Sequence, residues 1–154
     1  MANHLDLPRK EADELLAVQK SAPEAAWIAL SSGRIESWAL VTGVITPGGL
    51  YKKALTVELI CKRSVRPLRE SFKFSLFRLE FGAPKRAYQL DTSNVPLCDP
   101  EDHDWPHEHI GTDRICFGSS AFPQTFEEAL EHFCNAVNIQ FDEVIESPLE
   151  FKLR

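Results

Sequence analysis

Ala54-Leu55-Thr56-Val57-Glu58-Leu59-Ile60-Cys61-Lys62 is the stretch that decides the fold. Leu55, Val57, Leu59 and Cys61 fall on one face and Thr56, Glu58 and Lys62 on the other, the period of two that marks a half-buried antiparallel strand. Upstream, Glu36 to Ile45 is rich in β-formers and is closed by Pro47-Gly48-Gly49. Downstream, Ser71 to Phe81 carries Phe72, Phe74 and Leu76, then Phe77, Leu79 and Phe81. The phase slips at Leu76-Phe77, which predicts a β-bulge or a strand buried on both faces. Gly82-Ala83-Pro84 turns the chain into a hairpin partner, Lys85 to Leu90. Beyond a polar loop, Asp91 to Pro106, the stretch His107 to Phe117 reads as one more strand and Gly118 to Pro123 as a turn.

Helices flank these strands. Pro8 suits a first helical turn and Glu11 and Asp13 favour its positive end, which predicts a helix from Pro8 to Ser21 with Ala12, Leu15, Leu16 and Gln19 on one face. Glu24 to Leu30, between Pro23 and the turn residues Ser31-Ser32-Gly33, is read as a short second helix. The best-marked helix begins at Thr125, where Thr125-Phe126-Glu127-Glu128 is a capping box; Phe126, Ala129, Leu130, Phe133, Ala136 and Val137 form its apolar stripe. The segment Phe141 to Arg154 is expected to add a last strand. The order predicts an α+β fold: a mostly antiparallel sheet with an N-terminal and a C-terminal helix packed on one face, in one domain over residues 1–154.

The chain has 154 residues, 44% of them apolar, with ten Phe and three Trp, enough for the core of one domain. No apolar run approaches the roughly 18 residues that span a bilayer, and the start, Met1 to Lys10, is too polar for a signal peptide; a cytoplasmic protein with no membrane partner is expected. Cys61, Cys98, Cys116 and Cys134 are too widely spaced for a disulfide framework, and Cys61, Cys116 and Cys134 read as small core residues. The net charge is −6, yet residues 52–86 hold ten basic and three acidic residues, a balance of +7. Such asymmetry marks either a basic binding face or two regions that neutralise each other in the fold.

Chemistry concentrates in His103-Asp104-Trp105-Pro106-His107-Glu108-His109. On a strand, His107 and His109 share a face. Two imidazoles there suit a proton donor and acceptor pair, a structural tie for the loop, or a metal shell completed by Cys98, His103 or an acid. The spacing fits no common zinc motif. There is no P-loop, nucleophile elbow or dinucleotide fingerprint, and no cofactor is expected.

Several segments resemble, in the same order, a family of short bacterial and phage proteins with no assigned function. They are Glu11-Ala12-Asp13-Glu14-Leu15-Leu16 with Lys20, the stretch Leu55 to Arg69, Phe77-Arg78-Leu79-Glu80-Phe81-Gly82-Ala83-Pro84, and Pro106-His107-Glu108-His109. The family carries an Asn-Pro-Asp-like loop before a Pro-His-x-His strand. Asp99-Pro100 and Pro106 to His109 fit that pattern, while Ile110 and Cys116 stand where the family has aromatics, so the chain resembles a divergent member. The resemblance implies a fold but no reaction. The size and the histidine-bearing strand are similar to small toxins of bacterial toxin–antitoxin pairs.

Two functions follow as expectations. In the first, a nucleic-acid-directed, toxin-type ribonuclease, Lys62, Arg63, Arg66, Arg69 and Arg78 contact phosphates, His107 and His109 exchange protons, and Arg114 steadies the phosphate. In the second, a non-enzymatic module of a defence or counter-defence system, the acidic surface docks on a protein partner.

Overall fold

The computed structural model describes residues 5–30, 35–47, 54–66, 68–96, 98–119 and 121–149. Helix α1 (Arg9–Ala17) leads into strand β1 (Lys20–Ala22). Strands β2 (Ile28–Ala29), β3 (Glu36–Gly43), β4 (Leu55–Val65), β5 (Leu68–Glu80), β6 (Ala83–Ser93), β7 (His107–Ile110) and β8 (Asp113–Cys116) follow, then helix α2 (Phe126–Val137) and strand β9 (Ile139–Phe141). Among the described residues, β2 to β8 form one antiparallel meander in chain order, and β1 pairs with β9 in parallel. This is the expected α+β architecture. Of the sequence expectations, the turn at Ser31-Ser32-Gly33, Gly48 and Gly49, the basic residues Lys52 and Lys53, and the last residues 151–154 lie outside the described residues.

Both helices cover one face of the sheet. The alternation of β4 and β5 puts Leu55, Val57, Leu59, Cys61, Phe72, Phe74 and Leu76 on that face, all buried. Phe133 of α2 packs edge-on against Phe74, ring centres 6.0 Å apart, and against Tyr88 at 5.9 Å; Phe126 reaches Phe72, Phe74 and Trp27. Such ring pairs add to the area they bury. The capping box forms: the Thr125 hydroxyl accepts the Glu128 N–H at 3.1 Å, and the Glu128 carboxylate accepts the Thr125 N–H at 3.3 Å. At the other end Asn138 adopts φ 57° as a left-handed cap.

The structure departs from the sequence reading at five places. Helix α1 stops at Ala17 rather than Ser21, because Lys20 enters β1 beside β9 and its ammonium donates to the carbonyls of Val18 and Val137 at 2.6 Å each. No helix forms over residues 24–30; Ile28 and Ala29 pair with Ala39 and Trp38 of β3, and Trp27 is held by its N–H to the Glu146 carbonyl at 2.8 Å. Pairing at the sheet edge thus overrides a weak helical pattern. His107 to Phe117 is a hairpin, not one strand: Gly111, at φ 56°, supplies the left-handed turn position, and a Cβ there would meet the Leu7 carbonyl oxygen at 2.6 Å. Among the described residues the last strand is β9, ending at Phe141 rather than beginning there. Finally, Cys116 is exposed on edge strand β8, whereas Cys61 is buried in the core.

A β-bulge forms at Leu76-Phe77, but the extra residue belongs to the partner strand and β5 itself does not slip. Leu76 pairs with Tyr88 and Phe77 with Arg86, leaving Ala87 bulged. Strand β5 keeps its own phase, so Arg78 follows Leu76 onto the helix-covered face.

Candidate functional site

The face without helices presents polar rows across the sheet. Register sets them: Lys73 lies opposite Asp91, Asp91 opposite His107, and His107 opposite Cys116; one row along, Ser75, Gln89, His109 and Arg114 align. Lys62 opposes Ser71 and Ser64 opposes Arg69 on the same face. The loop after β6 folds back beside these rows. Together Lys62, Arg69, Lys73, Asp91, Cys98, Asp102, Asp104 and His107 line a cleft of about 460 Å³.

His107 is the histidine that lines this cleft. It is buried, and its Nδ1–H donates to the Trp105 carbonyl at 2.6 Å. That bond fixes the tautomer and leaves Nε2 as an acceptor. Nε2 has no hydrogen-bond partner among the described residues. Arg114 Nη2 lies 3.5 Å from Nδ1, a contact between two donors when Nδ1 holds its proton. Burial holds the ring below the usual imidazole range, against the Trp105 carbonyl and Asp91, which favour the charged form. The His109 ring sits edge-on to His107 with centres 4.9 Å apart, on the same face as expected. Burial pushes His109 down to about 4, helped by Arg86 and His107 and opposed by Asp6. Two neutral imidazoles thus stand side by side.

The nominated basic residues divide by strand phase. Lys62 and Arg69 line the cleft, and Arg69 is oriented by its Nε–H to the Val95 carbonyl at 3.0 Å. Arg63 turns to the helix-covered side and donates to the Leu149 carbonyl at 3.0 Å. Arg78 does the same, donating to Glu11 of α1 at 2.8 Å and to Glu80. Arg66 occupies the exposed turn between β4 and β5. Arg114, on β8, donates to the His103 carbonyl and to Cys116 Sγ at 3.2 Å. His103 is exposed, and among the described residues no three His, Cys, Asp or Glu side chains are disposed to hold a metal ion.

Sequence reasoning gave Lys73, Asp91 and Asp102 no role in the site and took in Asp104 only as part of the histidine-rich stretch. Lys73 was legible: it sits between Phe72 and Phe74, so it must face away from the core. Asp102 and Asp104 reach the cleft only through the fold of their loop, in which the Asp102 carboxylate accepts the Asp104 N–H at 3.0 Å.

Two other polar clusters are structural. On the reverse side of β7, Glu108 accepts from the Tyr88 hydroxyl and pairs with His132 of α2, each at 2.7 Å, tying helix to sheet. Burial works to raise the Glu108 carboxyl, but these two bonds hold it below the ordinary range. A depression of about 670 Å³ beside β1 includes Lys20, whose amine is lowered to about 8 by burial and is already taken up by two carbonyls. Among the described residues no helix is long and apolar enough to cross a membrane.

No family model, no curated protein and no solved structure matches this chain.

Proposed function

We propose that this protein acts on RNA in the cytoplasm, in the manner of a toxin-type ribonuclease, the setting its resemblance to short bacterial and phage proteins suggests. The observation that supports the reading is one cleft in which Lys62, Arg69 and Lys73 face an anchored, neutral His107 with a free Nε2. The cations bind the phosphate. His107 Nε2 takes the proton of the ribose 2′-hydroxyl as that oxygen attacks phosphorus, with its ring held by the Trp105 carbonyl in the role of an orienting group. The bond to the 5′-oxygen breaks, and the leaving oxygen takes its proton from solvent, because His109, expected from its place beside His107 to donate it, is held neutral by burial. Arg114, beside both rings in the register, steadies the charge on the phosphate.

A gel assay on single-stranded RNA and its DNA counterpart tests this. RNA is cut and DNA is not, and His107→Ala lowers the rate about a hundredfold or more. Intact RNA after prolonged incubation rejects the reading, and so does cutting that is unchanged in His107→Ala.

A second reading, a protein-interaction module, draws on the hairpin between β5 and β6. Phe81 there is fully exposed at φ 51°, next to half-exposed Leu79. A non-glycine residue held left-handed costs of order 1 kcal/mol and suggests a use. Phe81→Asn relieves that strain; loss of a captured host protein by this variant, with no RNA cleavage by the native chain, favours this reading over the first.

A further inference from the structure

The cleft carries charges of both signs that do not meet. Lys62, Arg69 and Lys73 stand on the sheet, where Asp91 lies opposite Lys73, and the loop contributes the carboxylates of Asp102 and Asp104. Yet no ion pair within 4.0 Å joins any of these cations to either carboxylate. The bonds that Asp102 and Asp104 do make are within their own loop, Asp102 to the Asp104 N–H and Asp104 to exposed His103 at 3.6 Å. His107, buried and with no hydrogen-bond partner at Nε2 among the described residues, lines the same cleft. Opposite charges left apart around an open volume suit a ligand that is anionic at one end and rich in hydrogen-bond donors at the other.

Resting on the RNA reading above, we propose that the cleft selects a guanine nucleotide within single-stranded RNA. Lys62, Arg69 and Lys73 hold its phosphate, and Asp102 and Asp104 receive the guanine edge. Guanine is the base whose Watson–Crick edge offers two adjacent donors, N1–H and the N2 amino group, matching the two oxygens of a carboxylate. Uracil offers one N–H flanked by carbonyls, which a carboxylate repels. Unstacked bases of single strands expose that edge, whereas a duplex hides it. A cleft of about 460 Å³ lies within the size range of small-ligand sites. The loop acids therefore discriminate among nucleotides while the sheet cations bind them all.

The test is fluorescence anisotropy at low salt with two labelled RNA strands, all-uridine and the same strand with one central guanosine. The guanosine strand binds about tenfold tighter, the discrimination of one good bidentate contact. Asp104→Asn, at an exposed side chain outside the core, and Asp102→Asn each bring the ratio toward one while all-uridine binding holds or tightens, since a negative charge is removed. Inosine in place of guanosine, lacking the amino group, loses part of the preference. Equal binding of both strands by the native protein, or a preference untouched by either variant, overturns guanine selection and leaves RNA binding standing. Failure of the native protein to bind either strand rejects the RNA reading itself. Thermal melts of both variants confirm that the comparison is between folded proteins.

Discussion

Arg63 and Lys62 are neighbours in sequence and occupy opposite worlds in the structure, as do Arg78 and Phe77. The helix-covered face takes Arg63 and Arg78 into bonds with a carbonyl and with Glu11 and Glu80. The other face leaves Lys62 and Lys73 without a partner within 4.0 Å among the described residues. Strand alternation sorts one basic stretch into cations that hold the fold together and cations left for something else. A count of charge in sequence cannot make that distinction; phase can.

The two faces should therefore answer differently to substitution. Phe133→Ala, which empties the contact with Phe74 and Tyr88, costs about 3–5 kcal/mol in urea denaturation. A loss under 1 kcal/mol would mean that α2 is not the core lid described. Arg78→Ala removes the cation that joins largely buried Glu80 to half-exposed Glu11 and costs about 2 kcal/mol, without altering RNA binding per folded molecule. If RNA binding falls while stability holds, Arg78 belongs with the cleft after all.

A subtler contrast concerns pH. His109 titrates near 4 in the folded chain and near the ordinary 6.5 when unfolded. Between these values the unfolded chain binds the proton first, so stability falls as pH drops from about 6.5 towards 4 and is level above that window. The groups facing the ring are His107, Arg86, Arg114 and Asp6. His109→Gln should flatten the decline by on the order of 1–2 kcal/mol in melts across the window; an unchanged slope would assign the decline to other groups. The smallest expected effect is Lys73→Ala, within about 0.5 kcal/mol in stability. Its signature is instead in binding, where the salt dependence of RNA affinity weakens by about one unit of slope.

The sequence made the frame legible where a local signal and the tertiary environment agree. The alternation of Leu55 to Cys61 and the capping box at Thr125 each specify an element that packing then stabilises. It misled where pairing partners decide. Residues 24–30 have too weak a helical pattern to resist the β3 edge, and Gly111 turns a run of strand-like residues into a hairpin because the N-terminal segment passes against it. The histidine pair was readable from the i, i+2 spacing alone. The loop carboxylates Asp102 and Asp104 were not, since the connection between β6 and β7 has no period to say which side chains return to the sheet; the strand also runs on to Ser93, which takes Asp91 out of the expected loop and into the sheet.

The central claim is that the face without helices is the RNA face. Amide and side-chain NMR spectra recorded while single-stranded RNA is titrated in would test it most directly. The account predicts shifts at Lys62, Arg69, Lys73 and His107 and quiet resonances at Arg63, Arg78 and Glu11. Shifts confined to α1, α2 or the buried arginines, or none at all at saturating RNA, would contradict it.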